Sequence, residues 1–309
     1  MPDLVAPLKG QSILDVKIFS EEILLPFFER VKIKSFRKNS HATQNQNRET
    51  KSVALVFNEP STRTVSSFHL ACHRVGLKPL SLHADSSSMA KGESLEDTVL
   101  TLAAMDIDAI VVRHGGEERL VDVSKKTTCP IISGGEGHLH HPTQALLDAY
   151  TIWNRTGSLS AQRILFVGDL RHSRVVRSNI ELLSQVGAQL GVCAPDDFLL
   201  PSSEGASLTR FQSLTEGLNW ATCVMALRVQ FERHTSQSFD RDRYVPDYQI
   251  TNSRLDALDK SVLFMHPGPV NKGIELSVEA YSNSRSVILE QVRNGVDVRA
   301  QLLAEVCGV

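Results

Sequence analysis

No two cysteines stand at Cys-x-x-Cys spacing: the five, Cys72, Cys129, Cys193, Cys223 and Cys307, are scattered along the chain. A disulfide framework or a cysteine zinc site needs closely spaced sets. Scattered thiols among mostly apolar or small neighbours therefore read as buried free cysteines of a reducing compartment. Long hydrophobic runs are missing too. The most apolar stretch, Leu100 to Val112, is interrupted by Asp106 and Asp108, too short and too charged to span a bilayer. Met1 to Gly10 lack the basic start and apolar run of a signal peptide, so a cytoplasmic location is expected. Neither sign of charge dominates. A net charge of −2 gives no bulk attraction to nucleic acid or to an anionic membrane, and any anion chemistry must come from locally placed Arg and Lys. The Gly-x-Gly-x-x-Gly fingerprint is absent as well. Gly168-Asp-Leu-Arg171 follows a strand but lacks the glycines that close pyrophosphate approach needs, which argues against a nucleotide-dependent oxidoreductase.

What is present is an ordinary globular composition, 41% hydrophobic and 22% charged, over 309 residues, a length that favours two domains. Short β-branched runs alternate with segments of helical period, the pattern of α/β folds with parallel sheets. Strands are expected at Val53–Phe57, Ala109–Val112, Ile164–Val167, Thr222–Leu227 and Val262–Met265. Helical spacing places Phe68, Cys72 and Val75 inward, then Leu95, Val99 and Leu102, then Val176, Ile180 and Leu183. A helix from Thr143, with Leu146, Tyr150 and Trp153 on one side, is expected to bridge the domains, and a last helix over Ser286 to Val306 to return to the first. The expected fold is α/β, two domains, each with a central, mainly parallel β-sheet flanked by helices. Lys38 to Lys51 is polar, without periodicity, and reads as an exposed loop.

Six segments carry chemistry. Glu59-Pro-Ser-Thr-Arg-Thr64 follows a buried strand and opens a helix, where unpaired N–H groups and the positive dipole end favour an anion. Ser61, Thr62 and Thr64 add hydroxyls, and Arg63 adds a planar fork that matches phosphate oxygens. The same residues also fit an ordinary Ser/Thr helix cap with a surface arginine. Ser86-Ser-Ser-Met-Ala-Lys-Gly-Glu-Ser94 is a cationic loop able to close over an anion, as many solvent-exposed loops are. His141-Pro-Thr-Gln144 brings a His and a Gln to one helix start. His138 and His140 nearby raise a zinc alternative, but no Cys or carboxylate pair of ligand spacing accompanies them. Arg171-His-Ser-Arg174 and Arg228-Val-Gln-Phe-Glu-Arg233 each place an arginine just beyond a strand's carboxyl end, where open α/β sheets bind ligands; singly, each also fits a surface arginine. His266-Pro-Gly-Pro269 is a kinked loop whose prolines free carbonyls from strand pairing.

In this order and spacing, from about Val53 to the C-terminus, the segments resemble the catalytic chains of the aspartate carbamoyltransferases. Pro60–Thr64 and His141-Pro-x-Gln144 resemble motifs common to all carbamoyltransferases. Ornithine enzymes resemble one another in a His-Cys-Leu-Pro loop and an Asp-rich strand end. Here the loop is His266-Pro-Gly-Pro269 and the strand ends carry Arg174 and Arg228, which suit two carboxylates. The resemblance implies transfer of the carbamoyl group of carbamoyl phosphate to L-aspartate, without cofactor or metal. It implies that Ser61, Thr62, Arg63 and Thr64 hold phosphate, and that Thr64, Arg113 and His141 meet the carbamoyl oxygen. Gln144 and the carbonyls of Pro267 and Gly268 would take the carbamoyl NH2, and Arg174, Arg228 and Gln230 would take aspartate. Ser87 and Lys91 would enter from a neighbouring subunit of a homotrimer, Lys91 touching both substrates.

The family pattern puts a carbamoyl phosphate-binding domain at residues 1–141 plus 288–309 and an aspartate-binding domain at 142–287. The tail His266 to Glu275, with Arg285 to Val292, resembles the bacterial subfamily whose trimers assemble with dihydroorotase or dihydroorotase-like chains. Two departures stand out. Val65 and His69 replace the family's usual Arg and Glu, an i,i+4 pair lost together. Ser40 to Arg48 replaces a more compact, apolar connection.

Overall fold

Apolar runs set the strands, and the order in which they pair decides where a ligand has room. The computed structural model describes residues 7–34, 51–83, 92–205, 207–231 and 240–309. The chain forms two compact units, Met1–Leu146 with Arg293–Val309, and Leu147–Val292. Most of the polar loop after Lys38, together with Ser87, Lys91 and Arg233, lies outside the described residues.

The first unit runs through α1 (Glu21–Lys34), β1 (Ser52–Phe57), α2 (Thr62–Arg74), β2 (Lys78–His83), α3 (Leu95–Ala103), β3 (Ala109–His114), α4 (Leu120–Ser124), β4 (Ile131–Glu136) and the start of α5 (Pro142–Thr156). Its strands pair in the order β2-β1-β3-β4, all parallel. β1 is buried from Val53 to Phe57, as a strand covered on both faces must be. The inward face of α2 is Thr64, Ser67, Phe68, Ala71 and Cys72, the i, i+3, i+4, i+7, i+8 stripe. Val75, expected inward, is instead the half-buried C-cap, because Gly76 with φ 77° ends the helix in the left-handed conformation. On α3, Ser94 caps the first turn by accepting from Asp97 N, and Leu95, Val99 and Leu102 point into the core as their spacing predicts.

The second unit takes the rest of α5, then β5 (Arg163–Gly168), α6 (Arg174–Gln185), β6 (Gln189–Cys193), α7 (Ser202–Gly205), β7 (Thr209–Arg210), α8 (Leu214–Trp220), β8 (Cys223–Leu227), α9 (Arg241–Tyr248), α10 (Asn252–Asp256), β9 (Leu263–Met265) and the first residues of α11 (Ile288–Cys307). The parallel order is β7-β6-β5-β8-β9. Val167, Val224 and Phe264 lie in its core.

Two helix faces differ from their sequence pattern. On α6 the buried line runs Val176, Asn179, Leu182 and Leu183, while Ile180 is only half-buried. The stripe is turned because Asn179 donates to the fully buried Asp148 on α5 at 3.0 Å. α5 is buried on every side from Pro142 to Trp153, not on one side alone. Its polar residues find internal partners: Thr151 donates to Leu147 O, and Asp148 also accepts from Gln291 at 2.8 Å.

From Arg293 onward, α11 packs in the first unit. Glu305 holds Arg30 of α1 at 2.7 Å, Asp297 holds Arg74 of α2, and the buried Arg299 donates to Ser67 and lies over the Phe68 ring. All five cysteines are free, and only Cys129 is not fully buried. Burial pushes the Cys72 and Cys307 thiols up to about 12 and those of Cys129 and Cys193 up to about 11. None of the described helices is long and apolar enough to cross a membrane.

In each sheet one strand is flanked on opposite sides by two later strands. β1 sits between β2 and β3, and β5 between β6 and β8. There the connections diverge, and at such a switch point open parallel sheets leave a crevice for a ligand, here outside the carboxyl ends of β1 and β3, and again of β5 and β8.

Candidate active site

The crevice beside β1 collects the first set of sequence-marked residues. Glu59 to Thr64 leave β1 and start α2, with Ser61 as N-cap residue. Its hydroxyl makes no capping bond, and the first turn holds no acidic residue, so the positive end of α2 is not offset from within the helix. An ordinary side-chain cap is therefore not what Ser61 provides. Helix geometry then splits the motif. Thr64 falls on the buried face, Ser61 is half-buried, and Thr62 and Arg63 are exposed.

Arg113 sits across the switch point, level with Phe57 in the β1–β3 register. Its side chain is 14% exposed, with Nε 3.3 Å from Glu59 Oε2 and Nη1 donating to Gly134 O. Asn58 N donates to the Arg113 carbonyl at 2.8 Å, tying the two strand ends together. A Cβ on Gly115 would lie 2.5 Å from Glu59 Oε1, so glycine there keeps room for that carboxylate. Glu59 is thus a charge partner that strand proximity reveals and residue spacing does not. At the end of β4, the buried Glu136 accepts from Arg119 and Leu120 N, while its own N–H donates to His140 O. These bonds shape the turn into His141, whose carbonyl receives Gln144 N and Ala145 N at the head of α5, with Pro142 at the first helical position. His141 and Gln144 are both buried. Three nearby atoms, Asn58 Oδ1, His140 Nδ1 and Thr143 Oγ1, are buried without a hydrogen-bond partner; of these residues only Asn58 went unmarked in the sequence. No group of three potential metal ligands gathers among the described residues.

The second unit repeats the plan at β5 and β8. Gly168 ends β5 with φ 117°, and a Cβ there would meet Leu227 O at 2.6 Å, so only glycine lets the strands finish this close. Asp169, wholly buried, accepts from His172 Nδ1 at 3.0 Å and from Gln230 N at 3.2 Å. Gln230 Nε2 donates to His172 O at 2.8 Å, closing a bridge between the two strand ends. Ser173 caps α6 by accepting from Val176 N, which places Arg174 at the first helical residue. Arg228 stands half-buried directly after β8. The third strand end, β9, leads into His266 to Pro269, held through His266 by Gln291 and Glu275.

Of the sequence-marked residues, the first unit gathers Ser61 to Thr64, Arg113, His141 and Gln144, and the second gathers Arg174, Arg228, Gln230, Pro267 and Gly268. Val65 and His69, where the family pattern has an ion pair, lie on α2. The His69 ring is bonded instead to Ser81 Oγ on β2, at 2.5 Å.

Residues 11–154 match the aspartate/ornithine carbamoyltransferase carbamoyl-P binding domain, and residues 160–306 match the Asp/Orn binding domain of the same enzymes. The aspartate carbamoyltransferase catalytic subunit of Chlorobium chlorochromatii is 41% identical over 82% of this chain and 84% of its own length. The chain belongs to the aspartate/ornithine carbamoyltransferase family. Within that family, the Solibacter usitatus aspartate carbamoyltransferase catalytic subunit is 43% identical over 84% of this chain and 86% of its own. Crystallised Trypanosoma cruzi aspartate transcarbamoylase, in complex with carbamoyl aspartate and phosphate, superposes with a TM-score of 0.88 at 29% identity, covering 98% of this chain and 97% of that one. The same Trypanosoma cruzi enzyme in complex with N-(phosphonacetyl)-L-aspartic acid gives the same score.

Proposed function

We propose that this chain transfers the carbamoyl group from carbamoyl phosphate to the amino group of L-aspartate, giving N-carbamoyl-L-aspartate and phosphate, a step of de novo pyrimidine biosynthesis. The observation that carries the reading is the repeated topological switch point and the residues placed at its strand ends. One is lined by an uncompensated helix start, hydroxyls and Arg113, the other by Arg174 and Arg228 beside a buried carboxylate. The first is suited to a phosphate, the second to a dicarboxylate.

The division of labour follows the residues. Residues 1–141 plus 288–309 bind carbamoyl phosphate, through Ser61, Thr62, Arg63 and Thr64 on phosphate and Thr64, Arg113 and His141 on the carbamoyl oxygen. Gln144 and the Pro267 and Gly268 carbonyls accept the carbamoyl N–H groups. Residues 142–287 bind aspartate through Arg174, Arg228 and Gln230. A phosphate dianion and two carboxylates bring roughly four negative charges together, and Arg63, Lys91, Arg113, Arg174 and Arg228 offset their repulsion. The neutral amine attacks the carbamoyl carbon, and phosphate leaves after a tetrahedral intermediate. Orientation contributes about 7–11 kcal/mol, and each donor aimed at the developing oxyanion about 2.7–4 kcal/mol. The leaving phosphate is the proton acceptor in this reading. No enzyme nucleophile is required, and neither cofactor nor metal enters the scheme.

The working form is a cytoplasmic homotrimer in which Ser87 and Lys91 complete a neighbour's site, and the tail from His266 to Val292 supports a dihydroorotase or dihydroorotase-like partner. Phosphate release with carbamoyl phosphate plus L-aspartate, against L-ornithine, tests the activity: turnover with ornithine alone overturns it. The shared site is tested by refolding Arg63→Ala and Lys91→Ala chains together. Random assembly makes about three quarters of the trimers mixed, each with one intact site, so about a quarter of wild-type activity returns. A mixture as inactive as its parents, despite proven hetero-trimers, ends the shared-site reading.

A further inference from the structure

Within the second unit a buried polar chain runs through His266, a residue not itself assigned to substrate. The His266 and Glu275 side chains are 0% and 1% exposed. Gly268 N donates to His266 Nδ1 at 2.8 Å. A ring nitrogen that accepts an N–H carries no proton, so the ring proton sits on Nε2, which faces Glu275 Oε1 at 3.3 Å. The same Glu275 oxygen accepts from Asn271 N at 2.6 Å, and the other oxygen lies 3.5 Å from Val229 N. Asn271 Nδ2 donates to Val229 O at 2.8 Å, a second tie to the residue between Arg228 and Gln230. From the other side, His266 N donates to Gln291 Oε1, and Gln291 Nε2 donates to the buried Asp148. The imidazole therefore joins the amide of Gly268 to the segment carrying Arg228 and Gln230, while the backbone N–H of the same residue ties it to helices α11 and α5.

We propose that His266 is a positioning residue for carbamoyl transfer: as the Nε2–H tautomer fixed by Glu275, it holds the Gly268 amide and so aims the Pro267 and Gly268 carbonyls at the carbamoyl NH2, in register with the aspartate-binding segment. This rests on the carbamoyltransferase reading above. His266 touches no substrate; its contribution is the direction of two carbonyls that the prolines leave outside the β-sheet ladder. A neutral packing residue would serve as well in either tautomer, whereas this arrangement works in one only.

Two substitutions divide the ring's functions. In His266→Asn the Oδ1 atom replaces Nδ1 as acceptor for Gly268 N–H, while the donor to Glu275 is lost. In His266→Gln the longer amide still reaches Glu275, while the acceptor is lost. With aspartate and carbamoyl phosphate saturating, His266→Asn keeps kcat within about tenfold, the scale of one hydrogen bond. His266→Gln loses about 100-fold in kcat, as a misplacement near 1 Å at the reacting group does. Carbamoyl phosphate affinity by calorimetry stays near wild type in both, because the phosphate grip lies in the first unit. Long-range 1H–15N correlation on histidine-labelled wild type, with His266 assigned by its loss in a variant or by backbone connectivity, shows a protonated Nε2 and a bare Nδ1. That reading needs no folded variant. A ring protonated on Nδ1, or equal kcat losses in two folded variants, overturns the proposal while the activity stands. A wild type that does not carbamoylate aspartate overturns the function and this proposal together.

Discussion

The two switch points share a topology and an electrostatic demand, the holding of an anion, but are built to meet it in different ways. Beside β1, cationic and hydroxyl groups come largely from one short segment; Glu59 lies against Arg113 in a partly exposed ion pair, and one buried carboxylate, Glu136, supports the turn into His141. Beside β5, the arginines come from separate strand ends, and the organising groups are three buried carboxylates, Asp169, Glu275 and Asp148. A helix start brings its own preorganised N–H groups and dipole, so the first crevice needs little support. A site made from two loops has no such frame. Buried carboxylates that accept several N–H groups supply one, at the cost of desolvation that only full hydrogen bonding offsets.

The largest effect expected is at the first crevice. Arg63→Ala lowers kcat by at least about a hundredfold, since a phosphate loses its charged fork. Retention of most of the wild-type rate at saturation would remove Arg63 from the site. Next comes Arg228→Ala, which removes one partner of a desolvated charge pair, about 2–5 kcal/mol. Aspartate use falls while calorimetric binding of carbamoyl phosphate holds; the reverse result would exchange the roles assigned to the two crevices. Glu59→Gln sharpens the contrast further. It keeps a polar group beside Arg113 but removes the charge, so kcat/KM changes about tenfold or less, on the scale of a partly exposed pair. A loss as large as that of Arg63→Ala would show that the first crevice also depends on a carboxylate. Smallest of all is the thiol response. With the Cys129 thiol raised to about 11 by burial and by Asp108, and the other four buried, reagents at pH 8 find little thiolate. Cys129, the most accessible, is labelled first and slowly, as mass spectrometry of timed samples would show; rapid labelling of Cys223 would contradict the packing of β8.

Much of this was readable in one dimension. The strands at Val53–Phe57, Ala109–Val112 and Ile164–Val167 announce themselves because parallel strands are buried on both faces and need unbroken apolar runs. β2 and β4 were not foreseen, since Pro79 in one and the Ser133-Gly-Gly135 sequence in the other hide them, and only pairing with β1 and β3 makes them strands. The α5 helix was placed within a residue but read as one-sided, because its polar residues look like a solvent face. Asp148 and Thr151 are instead buried against partners distant in sequence or one turn back.

What the sequence determined by itself is the chemistry available at strand ends: hydroxyls and Arg63 before a helix, Arg174 and Arg228 after strands, His141 and Gln144 at a helix start. Local rules of capping, periodicity and charge suffice for these, because each concerns neighbours within a turn or two of backbone. Which strand ends open onto a crevice was decided only in three dimensions. That follows from the orders β2-β1-β3-β4 and β7-β6-β5-β8-β9, which no local pattern encodes. The supporting carboxylates belong to the same class. Glu59 meets Arg113 across 54 positions, and Asp148 meets Gln291 across 143. A buried charge is stabilised by whatever donors the fold brings to it, and sequence spacing does not record that.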